Sequence, residues 1–149
     1  MTGRWRGKWT IMAGILSIMT LTGCIVQTNR SALEKRVTAF WHARATGTYT
    51  FIYNGKQVDL YNEFLSEKTK RGITQQQYYG IMNLKIANPR VDGIEYNKDG
   101  NQATVSVSFD TTFQIAKLRG ISIKQIWVVE NGKWVLVDNP KHNPFRSGQ

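Results

Sequence analysis

IWVVENGKWVLV, residues 126–137, is the stretch on which the fold turns. Asn131-Gly132 stands between two runs of β-branched and aromatic residues, and Asn-Gly suits the two-residue turn that needs positive φ at both central positions. The spacing predicts a hairpin pairing Glu130 with Lys133, Val129 with Trp134, Val128 with Val135, Trp127 with Leu136 and Ile126 with Val137. One face then carries Trp127, Val129, Trp134 and Leu136, and the other carries Ile126, Val128, Val135 and Val137. Both faces are apolar, and helices can cover only one. The other is expected to meet a second copy or another protein, unless sheet curvature brings the chain's own segments over it.

Working back from the hairpin, residues 81–138 read as strands and turns. In residues 102–113, Ala103, Val105, Val107, Phe109 and Phe113 share one face while Thr104, Ser106, Ser108, Asp110 and Thr112 share the other. The turn at 97–101 joins this strand to one at 91–96, Asn88-Pro89 reads as a break, and Met82, Leu84 and Ile86 alternate before it. Such half-buried alternation belongs to an antiparallel sheet with helices on one side.

The helices come first in the chain. Ser31 with Glu34 three residues on has the spacing of a capping box, and Gly47 is a natural stop. At 100° per residue Leu33, Val37, Phe40 and Trp41 fall within one arc, with Lys35, Thr38 and His42 opposite. Arg44 projects from the centre of the apolar arc. Either its stem packs while the guanidinium reaches for water near the helix C-terminus, or it points into a cavity and holds an anionic ligand. His42 reads as a solvated side chain. Residues 48–53 alternate as a strand toward Asn54-Gly55, and Val58, Leu60, Tyr61, Phe64 and Leu65 have helical spacing, so the segment 48–60 is open between hairpin and helix. Residues 66–72 read as a charged connection, and Thr74 as the cap of a short helix through Tyr79, ended by Gly80.

The N-terminus is of another kind. Arg4, Arg6 and Lys8 precede the apolar residues 11–21, and Leu21-Thr22-Gly23-Cys24 follows. A basic leader, a short apolar run and small residues make a secretory signal's layout. The tetrapeptide resembles the lipobox of bacterial lipoproteins, in which the cysteine is acylated through sulfur and begins the mature chain. That resemblance implies a signal peptide at 1–23, a lipid attachment at Cys24, a short tether at 24–30, and a domain at 31–138 with a loose tail at 139–149. A tether of that length, extended, would hold the domain within about 20 Å of the bilayer. Two or three acyl chains would hold it there permanently, since each buried methylene adds about 0.8 kcal/mol. Ile25, where inner-membrane retention would use an aspartate, implies the outer membrane, facing the periplasm.

The 149-residue chain has a formal net charge of +10. What remains after the leader is one domain's worth of chain, still basic, which attracts anionic envelope surfaces; outside the cytoplasm nucleic acid is not the expected partner. Cys24 is the single cysteine, so no intrachain disulfide forms and no thiol is left for a metal site or a nucleophile. No cofactor and no metal are expected.

An N-terminal amphipathic helix ending near a glycine, the segments Tyr61-Asn62-Glu63-Phe64-Leu65-Ser66 and Ile73-Thr74-Gln75-Gln76-Gln77-Tyr78, and a meander ending in Trp127 and Gly132-Lys133-Trp134 together resemble the nuclear-transport-factor-2-like superfamily. The resemblance spans residues 31–138. It implies an α+β fold in which N-terminal helices pack on a curved antiparallel sheet, a cone-shaped, cystatin-like shape often dimeric through the sheet's outer face. Its members include isomerases, dehydratases, adaptors and assembly modules, so fold alone does not choose a function. The expectation is a membrane-anchored lipoprotein with a non-catalytic binding or assembly domain; the alternative is an isomerase or dehydratase. Catalytic residues are not assigned. Arg44 and Tyr78 are the candidate ligand contacts, while His42, His142, Asp110, Tyr79 and Tyr96 are the thinner candidates an enzyme would have to use.

Overall fold

The computed structural model describes the backbone of residues 22–138 and side chains from Arg30 onward. The leader through Leu21, the tail 139–149 with His142, and the side chain of Cys24 lie outside the described residues. The order of elements is α1 (Thr22–Thr46), β1 (Thr50–Tyr53), β2 (Lys56–Asp59), α2 (Leu60–Phe64), α3 (Glu67–Gly72), α4 (Gln75–Ile81), β3 (Ile86–Tyr96), β4 (Gln102–Phe113), β5 (Ala116–Glu130) and β6 (Lys133–Val137). β1 and β2 form a separate hairpin, and β3-β4-β5-β6 form an open antiparallel meander, so the chain is α+β.

The hairpin of residues 126–137 has the expected register, all five pairs included. Asn131 and Gly132 hold φ of 50° and 75°, which is why that dipeptide and few others close it. The same pair of angles recurs at Asn54 and Gly55, and it makes residues 50–59 a hairpin; helical structure begins only at Leu60.

α1 lies across the inner face of the sheet. Phe40 meets Trp127 edge-on at 5.8 Å and Phe64 at 6.2 Å, and Trp41 stacks on Phe109 at 5.2 Å. Leu33, Val37, Val105, Val107, Trp134 and Leu136 close the same core. Several expectations fail against this layout. α1 begins at Thr22, so residues 25–30 are helical and Ser31 is not a cap. A Ser-x-x-Glu pair caps only a chain that is non-helical before it, and here Arg30 lies 5.0 Å over the Tyr96 ring, holding the earlier turn on the sheet. As a helix residues 25–30 span about 9 Å, inside the limit of about 20 Å set by an extended chain. Residues 66–72 are no loose connection: Ser66 accepts from the Thr69 N–H at 3.1 Å and caps α3, with Glu67 in its first turn and Lys70 and Arg71 in its last. Gly80 lies inside α4, which Met82 closes. The strand read through Met82 and Leu84 starts only at Ile86, and Asn88-Pro89 is a bulge within β3, not a break. Phe113 has the expected face but is 45% exposed, because β4 runs on past the helices that cover the rest of it.

The two sheet edges are treated differently. Along β6, the Ser66 N–H donates to the Leu136 carbonyl at 2.9 Å, Leu65 bridges Leu136 in parallel, and the Thr69 hydroxyl donates to the Asp138 carbonyl at 3.1 Å. Along β3, two register shifts and Pro89 interrupt the ladder and blunt it as a template for another strand.

Asp59 ties the helical layer to β2. Its carboxylate accepts from the Asn62 N–H at 2.9 Å, from Gln75 Nε2 at 2.9 Å and from the Tyr79 hydroxyl at 2.6 Å. Asp59→Ala removes a helix cap and strands a tyrosine donor, and is expected to lower the unfolding free energy by about 2 kcal/mol in urea titration.

Candidate functional site

Arg44 and Tyr78, far apart in the chain, come near enough to act on each other electrostatically. Helical periodicity brings Arg44 inward on the last turn of α1, its Cζ 5.2 Å from the centre of the Trp41 ring. Tyr78 is the buried residue of α4 and packs on the Tyr61 ring at 5.9 Å. Asp138 follows β6, and Tyr49 follows α1; both are near enough to act electrostatically on Arg44. Arg44 Nε and the Tyr78 hydroxyl are buried without a hydrogen-bond partner of ordinary geometry.

Burial drives the Arg44 pKa down, opposed by Tyr78, Asp138 and Tyr49. Burial, and then the Asp138 charge, push the Tyr78 phenol well above its ordinary value, with Arg44 pulling the other way. At neutral pH the pair is therefore a shielded cation, stacked on an indole, beside a neutral phenol. It can hold an acceptor, and it makes a poor base. Tyr78→Phe keeps the ring packing and removes a buried hydroxyl whose polar neighbour is Asp138, so the loss of calorimetric stability is expected to stay within about 1.5 kcal/mol.

A half-open groove of about 320 Å³ runs between α1 and the start of β3, walled by Trp41, Pro89, Val91 and Val107, with His42 and Arg90 on its rim. The Trp41 indole N–H donates to Gln125 Oε1 at 3.0 Å, so its polar edge is already satisfied and the ring offers the groove only apolar surface. His42 is exposed, as its place on the helix requires.

The other candidates are dispersed. Tyr79 stacks on Tyr49 at 4.4 Å, and its phenol is raised to about 12 by burial and by donating to Asp59. Burial raises the Tyr96 phenol, which lies beneath Arg30 at the opposite end of α1. Asp110 accepts from Asn88 Nδ2 and the Gly120 N–H, both at 2.9 Å, and these bonds hold its carboxyl below the usual carboxylate range. Among the described residues no three of His, Cys, Asp and Glu gather where a metal could be held, and no helix is long and apolar enough to cross a membrane.

On the outer sheet face, Ile126, Val128, Val135 and Val137 form a strip that belongs to no part of the core beneath the helices. Ile126 is exposed, Val128 and Val137 are half-buried, and Val135 is buried. Sequence reasoning passes over Arg36, whose guanidinium donates to the Glu63 carboxylate at 2.9 Å and to the Glu63 carbonyl, and lies over the Phe64 ring at 4.4 Å. Its signal is positional: at 100° per residue it is about 60° from Leu33, inside the arc that goes to the core. No protein-family profile and no curated protein matches the chain.

Proposed function

We propose that the chain is a lipid-anchored protein of the bacterial envelope, attached through Cys24 to the outer membrane on its periplasmic side, whose domain binds or assembles and does not catalyse. The domain is read as nuclear-transport-factor-2-like, a cystatin-like cone of helices on a curved sheet. The anchor reading is supported by Leu21-Thr22-Gly23-Cys24 behind a basic and apolar leader. The binding reading is carried by the strip of Ile126, Val128, Val135 and Val137, which faces away from the helices. Partner and strip together would form an apolar contact, in a homodimer or with another envelope protein. The test is light scattering of the purified protein together with crosslinking in its own membranes. A dimer, or a partner trapped through the strip and lost on Ile126→Lys, supports the reading; a monomer with nothing trapped rejects it.

One observation favours a second reading. Arg44, whose buried Nε has no hydrogen-bond partner, acts electrostatically on the buried Tyr78 phenol, a cation–phenol pair that a small-molecule isomerase or dehydratase of this shape would use. In that case Arg44→Met would abolish binding of an anionic ligand, measured by calorimetry, while leaving the strip's contact intact.

A further inference from the structure

Past the end of the helical layer, β4 and β5 continue as a two-stranded arm. The arm pairs Phe113 with Ala116 and Thr112 with Lys117, and Gln114-Ile115 turn its tip. Ile115 is 97% exposed and Phe113 45%, the apex of the arm being its most apolar part. The stretch from Thr111 to Val129 contains no acidic residue, but it contains Lys117, Arg119 and Lys124. The nearest carboxylate, Asp110, is occupied by Asn88 and the Gly120 N–H. An aliphatic side chain fully in water at the apex of a protruding turn, with cations a few residues behind it, presents a convex tip and not the concave surface that seats a ligand or a partner's anchor residue. A lipid bilayer needs no such complementarity. It accepts apolar tips at the acyl boundary and offers phosphates to cations one layer above.

We propose that the arm tip is a membrane-docking site, with Phe113 and Ile115 entering the headgroup–acyl boundary of an anionic bilayer and Lys117 and Arg119 meeting its phosphates. Arg30 packs on Tyr96, which pairs with Ala103 at the other end of β4, about 35 Å from the tip at 3.3 to 3.4 Å per residue. Tip docking is therefore a second membrane contact, separate from any anchor at residue 24.

The experiment uses the full chain carrying Cys24→Ser and Ile115→Cys, labelled at the new thiol with an environment-sensitive fluorophore. The thiol at residue 24 is absent, so the result does not depend on the lipid-anchor reading. A Cys24→Ser, Lys98→Cys chain labels the turn at the opposite end of the sheet and reports any binding through the N-terminus. On vesicles containing phosphatidylglycerol, the probe at 115 is expected to brighten several-fold and to be quenched by nitroxide on the acyl chains, while the probe at 98 is not. Pure phosphatidylcholine vesicles, or Lys117→Glu with Arg119→Glu, should remove the signal, and Phe113→Ser should weaken it about tenfold. A probe at 115 that stays in water on anionic vesicles overturns the proposal. So does shielding that is equal on neutral vesicles, or equal at 98 and 115. Shielding of the probe by an acidic protein, with none by vesicles, overturns it in favour of a protein partner.

Discussion

Phe40→Ala is expected to destabilise the domain by about 3–5 kcal/mol, with a fall in Tm of roughly 10–20 °C. Phe40 is fully buried and touches three aromatic rings from three directions: Trp41 at 5.9 Å, Trp127 at 5.8 Å and Phe64 at 6.2 Å. Those neighbours sit on the same helix, on β5 and on α2. Truncation opens a void that helix and sheet must both move to close, which rigid indoles resist. Since whole domains are stable by only about 5–15 kcal/mol, the variant should unfold at markedly lower denaturant concentration. A midpoint within experimental error of the parent would mean that α1 does not seal the sheet.

The second large effect concerns Arg36. Arg36→Ala is expected to cost about 2–4 kcal/mol, because it removes an ion pair whose cation is nearly inaccessible, frees a half-buried carbonyl, and takes a planar group off the Phe64 and Tyr53 rings. The lower end of that range reflects Glu63, which keeps some solvent and a second partner in Lys133 at 3.4 Å. Arg36→Met keeps the stem packing and should recover about half of the loss. The same pair gives the domain a pH signature. Burial pushes the Glu63 carboxyl up, but the Arg36 hydrogen bond and charge, helped by Lys133, outweigh burial and hold it below its ordinary value. A depressed folded-state pKa contributes stability that is present in full above the unfolded glutamate's value of about 4.3 and is lost as the pH falls through the folded one. Glu63→Gln should therefore be less stable than the parent at neutral pH, and the gap should close in urea melts as the pH falls from about 4.3 through the folded-state value. A constant gap across that range would show that the pair is not what Glu63 contributes.

These positions also show where the sequence was legible. The register of residues 126–137 was readable because Asn-Gly can close only a few turns and the flanking runs leave no other partner residue by residue. The buried face of β4 was readable by alternation through Phe109. Phe113 continued that alternation without continuing into the core, because burial depends on where the helices stop, and a strand's own pattern does not carry that information. The alternation Ile121-Ser122-Ile123-Lys124 is present in the sequence and carries β5 backward to the arm, although Gly120 masks its continuity. α3 escaped for another reason: it has a capping serine and complementary charges at its ends, but only one buried side chain, Thr69, so there is no apolar period to find. For the candidate site, the arc of α1 pointed Arg44 inward, and the structure brings it near Tyr78. The third member of that cluster, Asp138, stood outside any motif, and only the end of β6 places it there.

The anchor is the claim on which address and job both depend. The direct measurement is the intact mass of the protein recovered from the cells that make it. The account predicts a chain beginning at residue 24 and heavier than that polypeptide by the mass of its acyl chains, with Cys24→Ser giving an unprocessed chain without them. An unacylated protein retaining residues 1–23, with the same mass apart from the single substitution in Cys24→Ser, would contradict it.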